Sequence, residues 1–286
     1  MTQTAGTPDL GRYGAIGAFT YLPPKARDTV AAELEASGFG AIWLANATAD
    51  EAAPVLDATS AIVVGTAIQS IWRQDAARTA EAYAGLAAKH PGRFVLGLGV
   101  SHAQSTAEYT RPYPTMVAYL DALDAAGTPV PAGHRMLAAL GPKMTELART
   151  RTAGSLPYLV TAEHVAEARA ALGEHALLAP ELGVVLEADP DRARTLARGM
   201  LERYLQYTNY KNNWLRAGFT EDDVAGGGSD RLIDALFAWG DDDRVRARIE
   251  AFRAAGADHI VVQPVHDHPH GLAATEPWRR LAALLP

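Results

Sequence analysis

The stretch Ile62-Val63-Val64-Gly65-Thr66-Ala67-Ile68-Gln69-Ser70-Ile71-Trp72-Arg73 decides how this chain folds. After a helical segment it is answered by Pro91-Gly92-Arg93-Phe94-Val95-Leu96-Gly97-Leu98-Gly99-Val100-Ser101. The order is strand, helix, strand. Neither strand alternates apolar with polar residues, so neither has a face for water. Strands buried on both faces belong to parallel sheets flanked by helices. The residues closing the two strands, Ala67 to Arg73 and Gly99 to His102, suit a ligand better than a packed interior.

Outward from this unit the pattern repeats. Strands are predicted at 13–19, 41–44, 62–68, 94–99, 136–140, 156–160, 182–187 and 259–265, mostly separated by Ala-rich helical segments such as 26–37, 75–89 and 244–255. Ser37-Gly38, His90-Pro91-Gly92 and Gly256 read as helix stops. Strands alternating with helices indicate a parallel sheet, and eight such units indicate a closed (β/α)8 barrel. Two segments break the repeat. One is 101–133, with Arg111-Pro112-Tyr113-Pro114 and a short helix near 116–126. The other is 188–243, with Tyr204 to Trp214 and Gly226-Gly227-Gly228. Long connections of this kind are often lids or binding loops. The prediction is one α/β domain over 1–286, a TIM barrel with insertions after strands four and seven.

Composition narrows the function. The 286 residues suit a single barrel, for which about 250 is typical. With 48% hydrophobic residues and no cysteine, the chain is expected to hold a large core without disulfides, and thiolate chemistry is excluded. A net charge of −7 argues against a general nucleic-acid binder. Neither a signal peptide nor an apolar run near the roughly 20 residues of a membrane span is visible. A soluble cytoplasmic protein is expected.

In such barrels ligands bind at the carboxyl ends of the strands. There stand Asn46, Ala67 to Arg73, Gly99 to His102, Gly141-Pro142-Lys143-Met144 and His266-Asp267-His268-Pro269-His270. Glycine followed by proline at a helix start leaves amides pointing outward, and Lys143 adds a positive charge, so this turn suits an anion. An ordinary strand-to-helix turn has the same spacing. Gly97 and Gly99 either let a ring approach the backbone or fit a crowded barrel end. His102 is a proton donor, a proton acceptor or a surface residue. Asn46 is a turn residue or a hydrogen-bonding partner, and Trp72 a ligand wall or an interface residue. The histidine run lacks a companion acidic cluster, so no metal is assigned. No Gly-x-Ser-x-Gly elbow or P-loop is present.

Together these segments resemble the luciferase-like monooxygenase superfamily, in particular its coenzyme F420 (deazaflavin) branch. The likeness rests on Val64-Gly65-Thr66-Ala67-Ile68, Pro91 to Gly99, Leu140-Gly141-Pro142-Lys143-Met144 and Ala255-Gly256-Ala257-Asp258-His259-Ile260. The resemblance implies a flat ring across the strand ends, backed by a cis peptide at Ala67–Ile68 and bordered by Gly99 to His102. It places the coenzyme phosphate at Leu140, Gly141, Lys143 and Met144. Lys143 and Arg73 are the candidate cations, with Lys211 and Arg216 beside the tail. The chain departs from the branch in two places. Asn46-Ala47 replaces an Asp-His pair, and His102 replaces a glutamate, so His102 and Asn46 become the candidate catalytic residues. The expectation is an F420-dependent oxidoreductase acting by hydride transfer on a small organic substrate, as a homodimer. The competing readings are an FMN-dependent monooxygenase, a cofactor-binding paralogue without turnover, and a metal-dependent hydrolase through His266 and His268.

Overall fold

The computed structural model describes residues 14, 16–20, 22, 26–266 and 276–284. Its strands are β1 (Ile16–Thr20), β2 (Ala41–Ala45), β3 (Val63–Ala67), β4 (Gln69–Ser70), β5 (Phe94–Gly99), β6 (Arg135–Leu137), β7 (Gly154–Ser155), β8 (Leu177–Leu178), β9 (Glu181–Val185), β10 (Phe237–Trp239) and β11 (Ile260–Pro264). Its helices are α1 (Arg27–Ala36), α2 (Ala49–Asp57), α3 (Ala76–Lys89), α4 (Pro112–Asp124), α5 (Pro142–Arg151), α6 (Ala162–Leu172), α7 (Pro190–Leu201), α8 (Thr208–Arg216), α9 (Asp230–Leu236), α10 (Asp242–Ala254) and α11 (Glu276–Ala282).

All strand pairs are parallel, in the order β10-β9-β11-β1-β2-β3-β5-β6-β7-β8, with β4 on β5. β8, at one end of this path, and β9, next to β10 at the other, are one bent strand. Pro180, which has no N–H to donate, separates β8 from β9. On one side the Leu177, Ala179 and Glu181 amides bond to the carbonyls of Ala153, Ser155 and Pro157. On the other, the Asp258 and Val261 amides bond to the carbonyls of Leu178 and Pro180. The ring therefore closes through this strand as a (β/α)8 barrel, with β10 flanking the far end of β9.

The helices form where the sequence carries both a cap and an apolar stripe. In α3, Asp75 accepts the Arg78 amide at the amino end, and Ala76, Thr79, Ala80, Tyr83 and Leu86 face the barrel at helical spacing. Gly256 ends α10 at a φ of 103°, and the Ala257 amide bonds back to the Phe252 carbonyl, a turn that a side chain would strain.

The two insertions fall where expected. The first follows β5 and contains α4. The second follows β9 and contains α7, α8, α9 and β10. Four strand boundaries need correction. The strand expected at 156–160 is β7 at Gly154–Ser155, and the one at 182–187 is the bent pair β8 and β9, beginning five residues earlier. That at 136–140 is β6, ending at Leu137. The first strand is β1, Ile16–Thr20, and of its expected residues Tyr13 and Ala15 lie outside the described set. β10 was not foreseen.

Inside the ring, the amino-terminal half is filled. Trp43 is wholly buried, and its indole N–H donates to His259 Nε2 at 2.9 Å. Gly65 makes room for it, since a side chain there would stand 2.4 Å from the Trp43 ring. Val63, Val95, Met136, Leu177 and Val261 pack around it. The carboxyl-terminal half is open. No helix among the described residues is long and apolar enough to cross a membrane.

Candidate active site

The open end holds a cavity of about 900 Å³. Strand ends build its floor, and the two insertions build its wall. The Ala67–Ile68 peptide, where β3 leaves the barrel, is cis. A buried glutamine fixes the bulge that follows. Gln69 Oε1 accepts the Ala49 amide of α2 at 2.8 Å, and its Nε2 donates to Thr79 Oγ1 of α3 at 2.7 Å. Thr79 in turn lies 2.7 Å from the Tyr119 hydroxyl of α4. Three helices thus set the position of Ile68.

The two glycines of β5 have different uses. A Cβ on Gly97 would stand 1.9 Å from the Thr66 carbonyl oxygen, so Gly97 is required for the close approach of β3 to β5. A Cβ on Gly99 would stand 2.6 Å from Ile68 Cγ1, so Gly99 gives Ile68 its place on the cavity floor. Trp72 also lines the cavity, its indole N–H donating to the Val100 carbonyl at 2.6 Å.

The insertions meet across the mouth. Gln104 Nε2 donates to the Gln206 carbonyl at 3.1 Å, and Ser105 Oγ lies 2.8 Å from the Tyr207 hydroxyl. His102 is the centre of this contact. Its ring stacks on Tyr207 at 4.1 Å between centroids, and its Nδ1 lies 3.0 Å from Asn209 Oδ1. Burial lowers its pKa, a tendency the Asn209 bond opposes and the nearby Arg203 reinforces. With Asn209 Oδ1 accepting, Nδ1 carries the proton of a neutral ring and Nε2 is a proton acceptor.

Of the residues singled out in the sequence, Asn46, Ala67, Ile68, Gly99, His102, Leu140, Gly141 and Met144 all line this cavity, as do Trp72 and Arg73. Asn46 stands at the rim in a left-handed turn, its carbonyl accepting from Arg73, which also pairs with Glu51 at 3.4 Å. Lys143 is exposed on the first turn of α5 and is not among the lining residues; neither is Lys211. Arg216 is likewise exposed and outside the lining, but donates to the carbonyl of the lining residue Leu140 at 3.2 Å. Its charge reaches His164 in the first turn of α6, whose pKa burial and Arg216 together lower to about 4. His268 and His270 lie outside the described residues, among which no group of three side chains is arranged to hold a metal.

Several lining residues were missed. Glu181 on β9 is 5% exposed, and neither carboxylate oxygen has a hydrogen-bond partner. Around it stand Tyr158, whose hydroxyl donates to Gln263 Oε1 at 3.1 Å, and Tyr204 and Tyr210 from the second insertion. Two signals were available. A glutamate in an otherwise apolar strand is costly unless it has a use, and Tyr204, Tyr207 and Tyr210 recur every three residues on one side of a helical segment.

A closed parallel barrel, plugged at one end and bearing a ligand-sized cavity at the carboxyl ends of its strands, has the architecture of an α/β-barrel enzyme. More narrowly, the chain belongs to the luciferase-like monooxygenase family, whose model matches residues 11–259. Three similar solved structures fit this. An F420-dependent secondary alcohol dehydrogenase, in complex with an F420–acetone adduct, is 16% identical over 96% of this chain and 99% of its own, with a TM-score of 0.71. The coenzyme F420-dependent tetrahydromethanopterin reductase of Methanopyrus kandleri is 17% identical over 95% and 96%, with a TM-score of 0.66. The oxygenating constituent of 3,6-diketocamphane monooxygenase from Pseudomonas putida, in complex with FMN, is 16% identical over 95% and 96%, with a TM-score of 0.65. At these identities the likeness is one of fold. No curated protein matches the chain in sequence.

Proposed function

We propose that this chain is a coenzyme F420-dependent oxidoreductase that moves hydride between the deazaflavin and a small organic substrate. One observation carries the reading: a single cavity joins two chemically different ends. At one, Ala67, Ile68 and Gly99 form a flat apolar floor. At the other, Leu140 and Gly141 lead into the first turn of α5, with Arg216 bonded beside them. A flat uncharged ring suits the first end, and an anionic tail suits the second. The residues fit such a group. A side chain at Gly141 would project into open space, and the amino end of α5 has no side-chain cap.

The bound coenzyme would supply or accept the hydride. The chain's own residues do the rest. Ala67, Ile68 and Gly99 bed the ring. Gly141, Met144 and Arg216 hold the tail, and Lys143 adds positive charge outside the cavity. His102, neutral with Nε2 free to accept, takes a hydrogen bond from a hydroxyl substrate, and Asn46 offers another at the rim. The contact of the two insertions keeps water from the floor.

Equilibrium titration of the purified protein with F420 and with FMN, followed by fluorescence, tests the reading. Saturable F420 binding at least tenfold tighter than FMN binding is expected. FMN binding without deazaflavin binding contradicts it.

A further inference from the structure

Glu181 is the least explained group in the molecule. Its carboxyl is buried in the cavity lining, and neither oxygen makes a hydrogen bond of ordinary geometry, although the Leu159 amide lies near enough to act on its charge. A carboxylate left in such a place costs several times what an unpaired neutral group does, so the group resides there as the neutral acid. Burial does push its pKa well above the ordinary carboxylate range, and the Leu159 amide opposes this only in part. The neighbouring hydroxyls of Tyr158, Tyr204 and Tyr210 are held protonated for the same reason, burial being the largest cause for each.

The three tyrosine rings pack on one another, with centroids 5.1 Å apart for Tyr158–Tyr204 and 5.3 Å for Tyr204–Tyr210. That leaves no space between their faces for a cation. What the cluster presents to the cavity is O–H groups on an apolar wall, which matches an uncharged oxygen acceptor.

Resting on the oxidoreductase reading above, we infer that Glu181 is the acid of the substrate end of the cavity, donating a hydrogen bond and then its proton to the oxygen of a neutral carbonyl compound. In the reductive direction the hydride adds to the carbonyl carbon, with reduced deazaflavin as the reductant. The C=O π pair then moves to oxygen, and the Glu181 O–H proton joins that oxygen to give the alcohol. The carboxylate left behind regains a proton from solvent through the mouth. By microscopic reversibility the same carboxylate takes the alcohol's proton back in the oxidative direction; His102, its ring stacked on Tyr207 and 5.4 Å from that of Tyr210, accepts a hydrogen bond and not the proton.

Three measurements on the full chain test this, with cyclohexanone as the probe. Infrared difference spectra of the coenzyme-free protein should show the probe's carbonyl band moved to lower frequency in the wild type and unmoved in Glu181→Leu. Thermal unfolding should show Glu181→Leu more stable by a few degrees, because a buried unpaired polar group has been removed; a carboxyl kept for structure gives the opposite sign. Single-turnover reduction of the probe by the F420-loaded enzyme should slow about 100-fold in Glu181→Gln, with coenzyme affinity within twofold of wild type. An unshifted band in the wild type, a shift retained in Glu181→Leu, or equal turnover in Glu181→Gln overturns the inference. Failure of F420 to bind while the band shift persists overturns the oxidoreductase reading alone and leaves Glu181 as the carbonyl-binding acid.

Discussion

His102 lies flat on Tyr207, ring centroids 4.1 Å apart and planes within 12°, and so joins the loop after β5 to the insertion that carries α8. Together with the Gln104–Gln206 and Ser105–Tyr207 contacts, the stack and the bond to Asn209 close the cavity wall.

Replacing His102 by alanine removes the stack on Tyr207, a tilted contact with Tyr210 and one hydrogen bond. Together these are worth about 2 kcal/mol. The variant is expected to melt several degrees lower and to show faster hydrogen exchange in the α8 segment. Unchanged exchange there would mean the insertion is held by other contacts.

Gly97 and Gly99 separate packing from site. Gly97→Ala drives a Cβ into the Thr66 carbonyl and should destabilise the barrel by more than about 3 kcal/mol, to the point of poor expression. Gly99→Ala meets only the Ile68 side chain and should fold, with coenzyme affinity at least tenfold weaker. Adding Ile68→Ala to Gly99→Ala relieves the clash, and thermal unfolding of the double variant should recover most of the loss. A Gly97→Ala protein as stable as wild type would contradict the assigned strand contact.

Gln69 is the strut of the bulge. Gln69→Leu leaves the buried Ala49 amide without its partner, at about 1–3 kcal/mol, and takes from the Thr79 hydroxyl one of its two partners, Tyr119 remaining. Both the melting temperature and coenzyme affinity are expected to fall in this variant, whereas substitution of exposed Lys89 should change neither. Calorimetry and fluorescence titration read the two effects separately.

A buried histidine, His259, and a half-buried one, His164, set the acid limit of stability. His259 donates from Nδ1 to the Gly14 carbonyl and accepts from Trp43 at Nε2, so a second ring proton would face the indole N–H. Burial lowers its pKa from 6.5 to about 4, with the Gly14 bond and Asp258 opposing, and His164 falls equally far. Each is neutral in the fold and protonates more readily unfolded. The stability they contribute is therefore full above pH 6.5 and lost as pH falls toward 4, on the order of 3 kcal/mol for His259. Denaturant titrations between these values should show that loss, and His164→Gln should reduce its slope by about one proton. A pH-independent midpoint over this window would contradict the neutral assignments.

How much of this was legible in the sequence varies with element length. The six residues of β5 are all buried and all apolar or glycine, and such a run has few other readings. By contrast, β7 and β8 have two residues each, and their ladder bonds continue through Pro157 and Pro180, residues that argue against strands when read alone. β10 follows α9 without a break, so its three residues carried no boundary signal. The cofactor end of the cavity lay in glycine-rich strand ends, which are conspicuous. The substrate end did not. Glu181 sits one residue before the predicted seventh strand, and the tyrosines that surround it come from an insertion whose packing no periodicity specifies. Lys143 was the obvious cation by sequence, yet Arg216, some seventy residues on, is the one bonded at the Leu140 carbonyl.

Charge at that end gives one more expectation. Arg216→Ala should weaken F420 binding about 10-fold and flatten its salt dependence, since a charged hydrogen-bond donor is lost from the tail's position. Fluorescence titration at low and moderate salt reads both.

A crystal structure of the protein with F420 tests the central claim most directly. The account predicts the deazaflavin ring lying on Ala67, Ile68 and Gly99, its phosphate at Gly141 and Arg216, and its reactive face toward Glu181. A ring bound elsewhere, or a tail leading away from α5, would contradict it.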